Sequence, residues 1–180
     1  MSTKLTLASS VVCLIGLTQA AMARIETVVV GTVTATIGDT AYEGETLDVP
    51  SEGTSTAEWR TFGPVTSLSI QAHDPKAASR MQNVLNVEIT LMGENAAASI
   101  MEASVSWWPE GMGAPHYFNE GSGTEVSIAI DTLSLEEGTS TVSGDFSARL
   151  CRKDGIYDET DTGDCLTVDG RFNTALHKAD

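Results

Sequence analysis

The sequence predicts an all-β protein, a single-domain two-sheet antiparallel sandwich of about eight strands with at most one short helix. Three observations lead to this prediction. Apolar and polar residues alternate along most of the chain, Thr, Ser, Val and Gly are abundant, and no long stretch keeps a helical apolar stripe. Because 41% of the 180 residues are hydrophobic, the chain can bury one core, and one domain is expected.

The alternating runs define the predicted strands. Each run has one apolar and one polar face, which is typical of an antiparallel strand with one buried side. In chain order the runs are 29–37, 56–62, 65–71, 87–91, 99–107, 125–131, 142–151 and 165–176. Their number and spacing favour a sandwich over an open sheet.

Turn-forming residues separate the strands. They are Gly38-Asp39, Glu43-Gly44, Gly63-Pro64, Gly93-Glu94-Asn95, Glu120-Gly121-Ser122-Gly123 and Glu137-Gly138. The one predicted helix is the short segment 76–81, with Asp74 as its N-cap and Pro75 at its first position.

Residues 1–23 have the pattern of a cleaved signal peptide. Lys4 supplies a positive charge, an apolar run follows it, and Ala21-Met22-Ala23 is a small-x-small cleavage signal. The apolar run, of about 13 residues, is too short for a membrane-spanning helix. We therefore expect a mature domain of residues 24–180 that is soluble, lacks a membrane span and is periplasmic or secreted.

The chain is strongly acidic. It carries 10 Lys and Arg residues against 25 Asp and Glu residues, a net charge of -15. Surfaces that bind nucleic acid need clustered basic residues, so a nucleic-acid partner is not expected.

Cleavage of the signal peptide would leave two cysteines, Cys151 and Cys165, in an oxidising compartment. No histidine lies near them in the sequence to complete a zinc site. We therefore predict a structural disulfide, with a metal site or a catalytic thiol as the alternatives.

The disulfide predicts the register of a C-terminal hairpin. If Cys151 faces Cys165, the large aromatic residues of each strand meet glycines of the other, and a charged pair forms on the opposite face. The expected partners are Phe146 with Gly170, Gly144 with Phe172, and Asp145 with Arg171. Such packing of a ring over a glycine fills space and shields the backbone.

The two strands, 142–150 and 168–172, resemble the closing hairpin of small exported bacterial β-sandwich proteins of unknown function. The Gly144-Asp145-Phe146 and Gly170-Arg171-Phe172 elements carry this resemblance. It implies the sandwich fold and assigns no activity or functional residue.

The loop between the cysteines is rich in carboxylates. Asp158, Asp161 and Asp164 are candidate ligands for a weak Ca²⁺ site, but their spacing is not that of an EF-hand loop. A solvated acidic loop is the alternative interpretation, and no other cofactor is expected. Met112 and His116 would also suit copper, although the three histidines are scattered in the sequence.

The segment 107–118 is the main candidate for a binding surface because it concentrates aromatic residues beside Gly and Pro. The candidate residues are Trp107, Trp108, Met112, His116, Tyr117 and Phe118. Neighbouring residues in a strand face opposite sides, so Trp107 and Trp108 cannot enter the same core. Exposed aromatics would contact a saccharide or a protein. Alternatively, Trp107 fills the core while Trp108 and Tyr117 close one end of the sandwich.

The sequence favours a non-catalytic binding or structural module. It contains no nucleophile elbow, phosphate-binding loop or zinc-protease motif. The alternatives are a small secreted carbohydrate-active enzyme, which would use a pair of its many carboxylates, and a weak calcium- or copper-binding periplasmic protein.

Overall fold

The structure, a computed structural model, describes residues 25–113, 115–136 and 138–179. The predicted signal peptide, residues 1–23, lies outside the described residues. Within them the chain forms twelve strands and no helix. The strands are β1 (Val28–Ile37), β2 (Thr40–Val49), β3 (Thr54–Ser55), β4 (Ala57–Phe62), β5 (Val65–His73), β6 (Val84–Met92), β7 (Ser99–Trp108), β8 (His116–Phe118), β9 (Ser127–Ser134), β10 (Thr141–Lys153), β11 (Asp161–Ala175) and β12 (His177–Lys178).

The all-β prediction is therefore confirmed. All twelve strands belong to one hydrogen-bonded sheet in the order β12-β4-β5-β6-β7-β8-β10-β11-β1-β2-β3, with β9 also paired to β10. A bridge between Glu45 of β2 and His73 of β5 closes eight of these strands into a circuit. The β12–β4 pair is parallel, whereas the other pairs are antiparallel.

The sheet has more strands than the predicted eight. The additional strands β2, β3, β8 and β12 are short or polar, so they lack a long apolar alternation. Two connections join the strands into one continuous sheet. One is β8, which lies between β7 and β10, and the other is the β2–β5 bridge.

The predicted helix at 76–81 is wrong. Residues 75–83 form turns, in which the Lys76 amide donates to Asp74 Oδ1 at 2.7 Å and the Ala77 amide donates to the Asp74 carbonyl. A six-residue segment is too short to offset helix nucleation without an apolar face to pack.

The core lies between the inner faces of the strands. In β5, Leu68, Ile70 and Ala72 are fully buried, whereas the alternate residues Ser69 and Gln71 are half-buried on the opposite face. Core residues from β1, β6, β10 and β11 complete the same cluster. Most polar residues of β4–β7 therefore lie on the outer face of the sheet, whereas Thr66 of β5 is buried with the core residues.

The C-terminal hairpin has the predicted register. Cys151 pairs with Cys165 and forms the disulfide, and the aromatic–glycine pairs and the Asp145–Arg171 pair also agree. The Asp145 and Arg171 side chains lie 3.3 Å apart. Cys151 shares the face of Asp145 but is buried, since β8 lies beside it.

One predicted turn is wrong. Gly44 lies inside β2, where an added Cβ would come within 2.8 Å of the Ala72 Cβ. The missing side chain makes room for the ring of Tyr42, whose hydroxyl donates to the Ala72 carbonyl at 2.8 Å.

No helix in residues 25–113, 115–136 and 138–179 is long and apolar enough to cross a membrane.

Candidate functional site

Trp107 and Trp108 lie on opposite faces of β7, as strand alternation predicts. Trp107 packs against the core and contacts Tyr117 of β8, with ring centroids 5.5 Å apart. Its indole N–H donates to Asn83 Oδ1 at 2.7 Å. Asn83 has a positive φ of 52°, a conformation that asparagine tolerates better than most residues. Trp107 and Tyr117 are therefore structural contacts of the inner face.

Trp108 stacks on His116 on the outer face. The ring centroids are 4.0 Å apart and the ring planes differ by 6°. The indole N–H of Trp108 donates to Ser106 Oγ at 3.1 Å, so the ring is held at two points. Trp108 is half-buried and His116 is buried, which leaves part of the indole open to solvent.

Burial lowers the pKa of His116 below its ordinary value of 6.5, and the nearby Lys153 ammonium lowers it further. The imidazole is therefore neutral at neutral pH. It supports the Trp108 ring without adding a positive charge.

A groove of about 610 Å³ lies beside this stack, and we call it the outer groove. Its size falls within the usual range for sites that bind small molecules, about 300–1,000 Å³. It is lined by Ser55, Thr56, Glu58, Ser69, Gln71, Asn86, Glu88, Ser104, Ser106, Trp108, Met112, His116, Phe118, Glu120, Lys153 and Ile156.

The floor of the outer groove is polar because it consists of the outward-facing residues of β5, β6 and β7. Their register forms two rows across the sheet. One row is Ser69, Glu88 and Ser104, and the next is Gln71, Asn86 and Ser106. The residues between them along each strand are buried in the core. The floor thus presents hydroxyl, amide and carboxylate groups on a rigid surface.

Hydrogen bonds within the floor hold Glu88 in place. Asn86 Nδ2 donates to Glu88 Oε1 at 3.2 Å, and Ser104 Oγ donates to Glu88 Oε2 at 3.4 Å. Asn86 Oδ1 is shielded from solvent and has no hydrogen-bond partner among the described residues. An unpaired buried acceptor costs about 1–3 kcal/mol.

Apolar side chains form the walls of the outer groove. Phe118 continues from the Trp108–His116 stack, and Met112 and Ile156 are 52% and 66% exposed. Large exposed apolar side chains beside a polar floor are typical of a contact surface rather than of a core.

The disulfide hairpin supports one wall. β8 pairs with β10 in the register Cys151–Phe118, Arg152–Tyr117 and Lys153–His116. The bonded cysteine is therefore the cross-strand neighbour of a groove residue. Thr160 Oγ1 also donates to the Glu120 carbonyl at 3.0 Å, which fixes the loop beyond β8.

The candidate calcium ligands do not converge. Asp161 Oδ1 accepts the Gly163 amide at 2.9 Å, and Asp164 Oδ1 accepts the Tyr117 hydroxyl at 3.3 Å. Asp158 is exposed. In the described part of the chain, no group of three or more His, Cys, Asp or Glu residues is placed to hold a metal ion. Met112 and His116, the copper candidates, both line the outer groove.

The structure divides the predicted binding residues into two sets. Trp108, Met112, His116 and Phe118 line the outer groove, whereas Trp107 and Tyr117 do not. The polar floor was not predicted from the sequence. Its signal is present in Ser69 and Gln71, Asn86 and Glu88, and Ser104 and Ser106, the polar alternate positions of three consecutive strands.

Comparisons of this chain with family models, with curated proteins and with solved structures find no match.

Proposed function

We propose that this protein is an exported, non-catalytic binding module that holds a saccharide in the outer groove. The observation that carries the proposal is the Trp108–His116 stack beside a polar floor. A sugar ring has an apolar face, which packs on an indole, and hydroxyl groups at its edge, which need donors and acceptors.

The polar floor favours a saccharide over a protein partner. Gln71, Asn86 and Ser106 form a row of hydrogen-bonding groups on one side of Trp108. Interfaces between proteins usually have apolar, densely packed centres, with polar groups at the rim. In the outer groove this arrangement is reversed, because the apolar groups form the walls.

The location and the two-layer architecture belong to the same proposal. The signal-peptide pattern at residues 1–23 and the Cys151–Cys165 disulfide favour export to the periplasm or the exterior. The core enclosed between β4–β7 and the strands β1, β2, β10 and β11 favours a sandwich, with β8 and the Glu45–His73 bridge joining its layers.

A glycan screen followed by calorimetry tests the proposal. Wild-type protein and Trp108→Ala are compared with Phe62→Ala, a matched control whose ring is 89% exposed and lies outside the outer groove. We expect a selected oligosaccharide to bind wild type and Phe62→Ala equally, and Trp108→Ala about tenfold or more weakly. Absence of any glycan ligand, or equal binding by all three proteins, contradicts the proposal.

A carbohydrate-active enzyme is the second candidate, favoured by two carboxylates in the same groove. Glu58 and Glu88 both pair with Ser69, from opposite sides. Their backbones are thus two strand spacings apart, about 10 Å. Side chains on backbones at this spacing can bring their carboxyl groups to the separation of about 6.5–9.5 Å that inverting glycosidases use. Release of reducing sugar by wild type, but not by Glu88→Gln, would support hydrolysis and contradict the non-catalytic proposal.

A further inference from the structure

We infer that the saccharide taken by the outer groove is a cationic amino sugar, a short oligomer with free ammonium groups. This inference rests on the proposed function and names its ligand class. Its basis is the position of the carboxylates of the outer groove relative to the aromatic stack.

The outer groove is acidic. It contains the carboxylates of Glu58, Glu88 and Glu120 and one ammonium group, that of Lys153. Lys153 pairs with His116 and therefore lies at the β8 side of the groove. Glu58 and Glu88 lie across the floor from it, on β4 and β6. Arg60 of β4 lines a neighbouring depression with Glu58, Ser69 and Glu88 but lies outside the outer groove. The lining of the outer groove therefore has three carboxylates against one ammonium group.

The carboxylates of Glu58 and Glu88 are held in place. Glu88 accepts hydrogen bonds from Asn86 and Ser104, and Glu58 Oε1 accepts the Ser55 amide at 3.2 Å. These contacts leave acceptor capacity on both groups, because a carboxylate has about four lone-pair positions. A sugar ammonium would make charge-assisted hydrogen bonds here, which are roughly twice as strong as neutral ones.

The same charges disfavour acidic sugars. A uronate or sulfate group placed over Ser69, between Glu58 and Glu88, would lie within the screening length of both carboxylates, about 8 Å at physiological salt. The whole chain, with its net charge of -15, adds to the repulsion. A neutral sugar would bind the aromatic stack but would gain nothing from the charge of the floor.

Calorimetry with two matched ligands tests the inference. They are a glucosamine tetramer and the N-acetylglucosamine tetramer of the same linkage, which lacks the positive charges. The measurement is made at slightly acidic pH, where the sugar amines are charged. We expect the glucosamine tetramer to bind about tenfold more tightly at low salt. The difference should shrink near 1 M salt, where the screening length falls to about 3 Å.

Charge-neutral variants test whether Glu58 and Glu88 cause the difference in affinity between the two tetramers. Glu58→Gln and Glu88→Gln should each weaken binding of the glucosamine tetramer by about tenfold. They should weaken binding of the acetylated tetramer less, because glutamine keeps a hydrogen-bonding amide and loses only the charge. Glu94→Gln is the matched control, because Glu94 is exposed in the loop between β6 and β7, outside the outer groove, and its loss changes the net charge equally. It should change neither affinity by more than about twofold. Tetralysine serves as a cation without sugar rings and should bind weakly.

The outcomes separate the two proposals. If both tetramers bind equally and the glutamine variants change nothing, the inference is overturned and the proposed function stands. If tetralysine binds as tightly as the glucosamine tetramer, or Glu94→Gln weakens binding as much as Glu88→Gln, the attraction is non-specific and the inference is overturned. If neither tetramer nor any other glycan binds, the proposed function itself fails.

Discussion

The indole of Trp108 lies parallel to the imidazole of His116 at a centroid distance of 4.0 Å, on the outer face of the sheet. The neighbouring residues in each strand, Trp107 and Tyr117, make the corresponding contact on the inner face. Two adjacent residue pairs thus serve different purposes, since one faces the core and the other faces the outer groove.

The two tryptophans should differ in their effect on stability. Trp107→Ala should lower the free energy of unfolding by about 3–5 kcal/mol because it removes a packed ring. It also removes the hydrogen bond to Asn83. Trp108→Ala should lower it by about 1–2 kcal/mol, because Trp108 loses mainly its stack on His116. Urea unfolding measures both values. An equal or larger loss for Trp108→Ala would show that its role is structural.

Mild acid should destabilise the protein through His73 and His116. Burial is the main cause that lowers the pKa of both below 6.5, and the charges of Arg80 and Lys153 respectively add to it. The unfolded chain therefore binds protons at a higher pH than the folded chain. Stability is complete above about pH 6.5 and falls as the pH decreases toward the folded-state pKa values.

Unfolding free energies measured across this pH range check the prediction. His73→Gln should reduce the pH dependence, whereas His177→Gln, on the short strand β12, is the control. The prediction fails if wild-type stability is constant or rises as the pH falls from neutral toward 5.

Removing the disulfide should lower stability. The double variant Cys151→Ala/Cys165→Ala opens a loop with a sequence separation of 14 residues. On the chain-entropy account the expected loss is about 3 kcal/mol. Thermal unfolding of the variant, and of wild type in reductant, should show similarly lowered melting temperatures. Unchanged melting temperatures in both would contradict the prediction.

Gly170 should not tolerate a side chain. An added Cβ would lie 2.7 Å from Phe146 Cε1 and 2.8 Å from the Thr34 carbonyl oxygen. Gly170→Ala should therefore cost about 1–3 kcal/mol or more through overpacking. Gly113→Ala is the control, because no atom lies within 4 Å of its added Cβ. Similar unfolding midpoints for the two variants would refute the proposed packing of Phe146 on Gly170.

The hairpin was predictable because two constraints agree there. The disulfide sets the register, and a shift by one residue would move every apolar side chain to the other face. Only the register with Phe146 opposite Gly170 satisfies both. The same alternation predicts that Trp107 and Trp108 lie on opposite faces of β7.

Elsewhere local signals were misleading or insufficient. The pair Glu43-Gly44 is typical of a turn, yet Gly44 lies inside β2. The absence of a side chain there leaves room for the Tyr42 ring. The floor of the outer groove could not be assigned from single strands. Ser69, Glu88 and Ser104 form a row only after β5, β6 and β7 pair in their observed register.

The β2–β5 bridge and the short strand β8 are the two connections between strands β4–β7 and strands β1, β2, β10 and β11. His73 lies at the β2–β5 bridge, opposite Glu45, and His116 lies on β8, opposite Lys153 of β10. Proton uptake by His116 adds a positive charge opposite the Lys153 ammonium, where β8 joins β10. Acidification should therefore weaken the β8–β10 pairing first, so that hydrogen exchange begins at β8 rather than at the long β10–β11 hairpin.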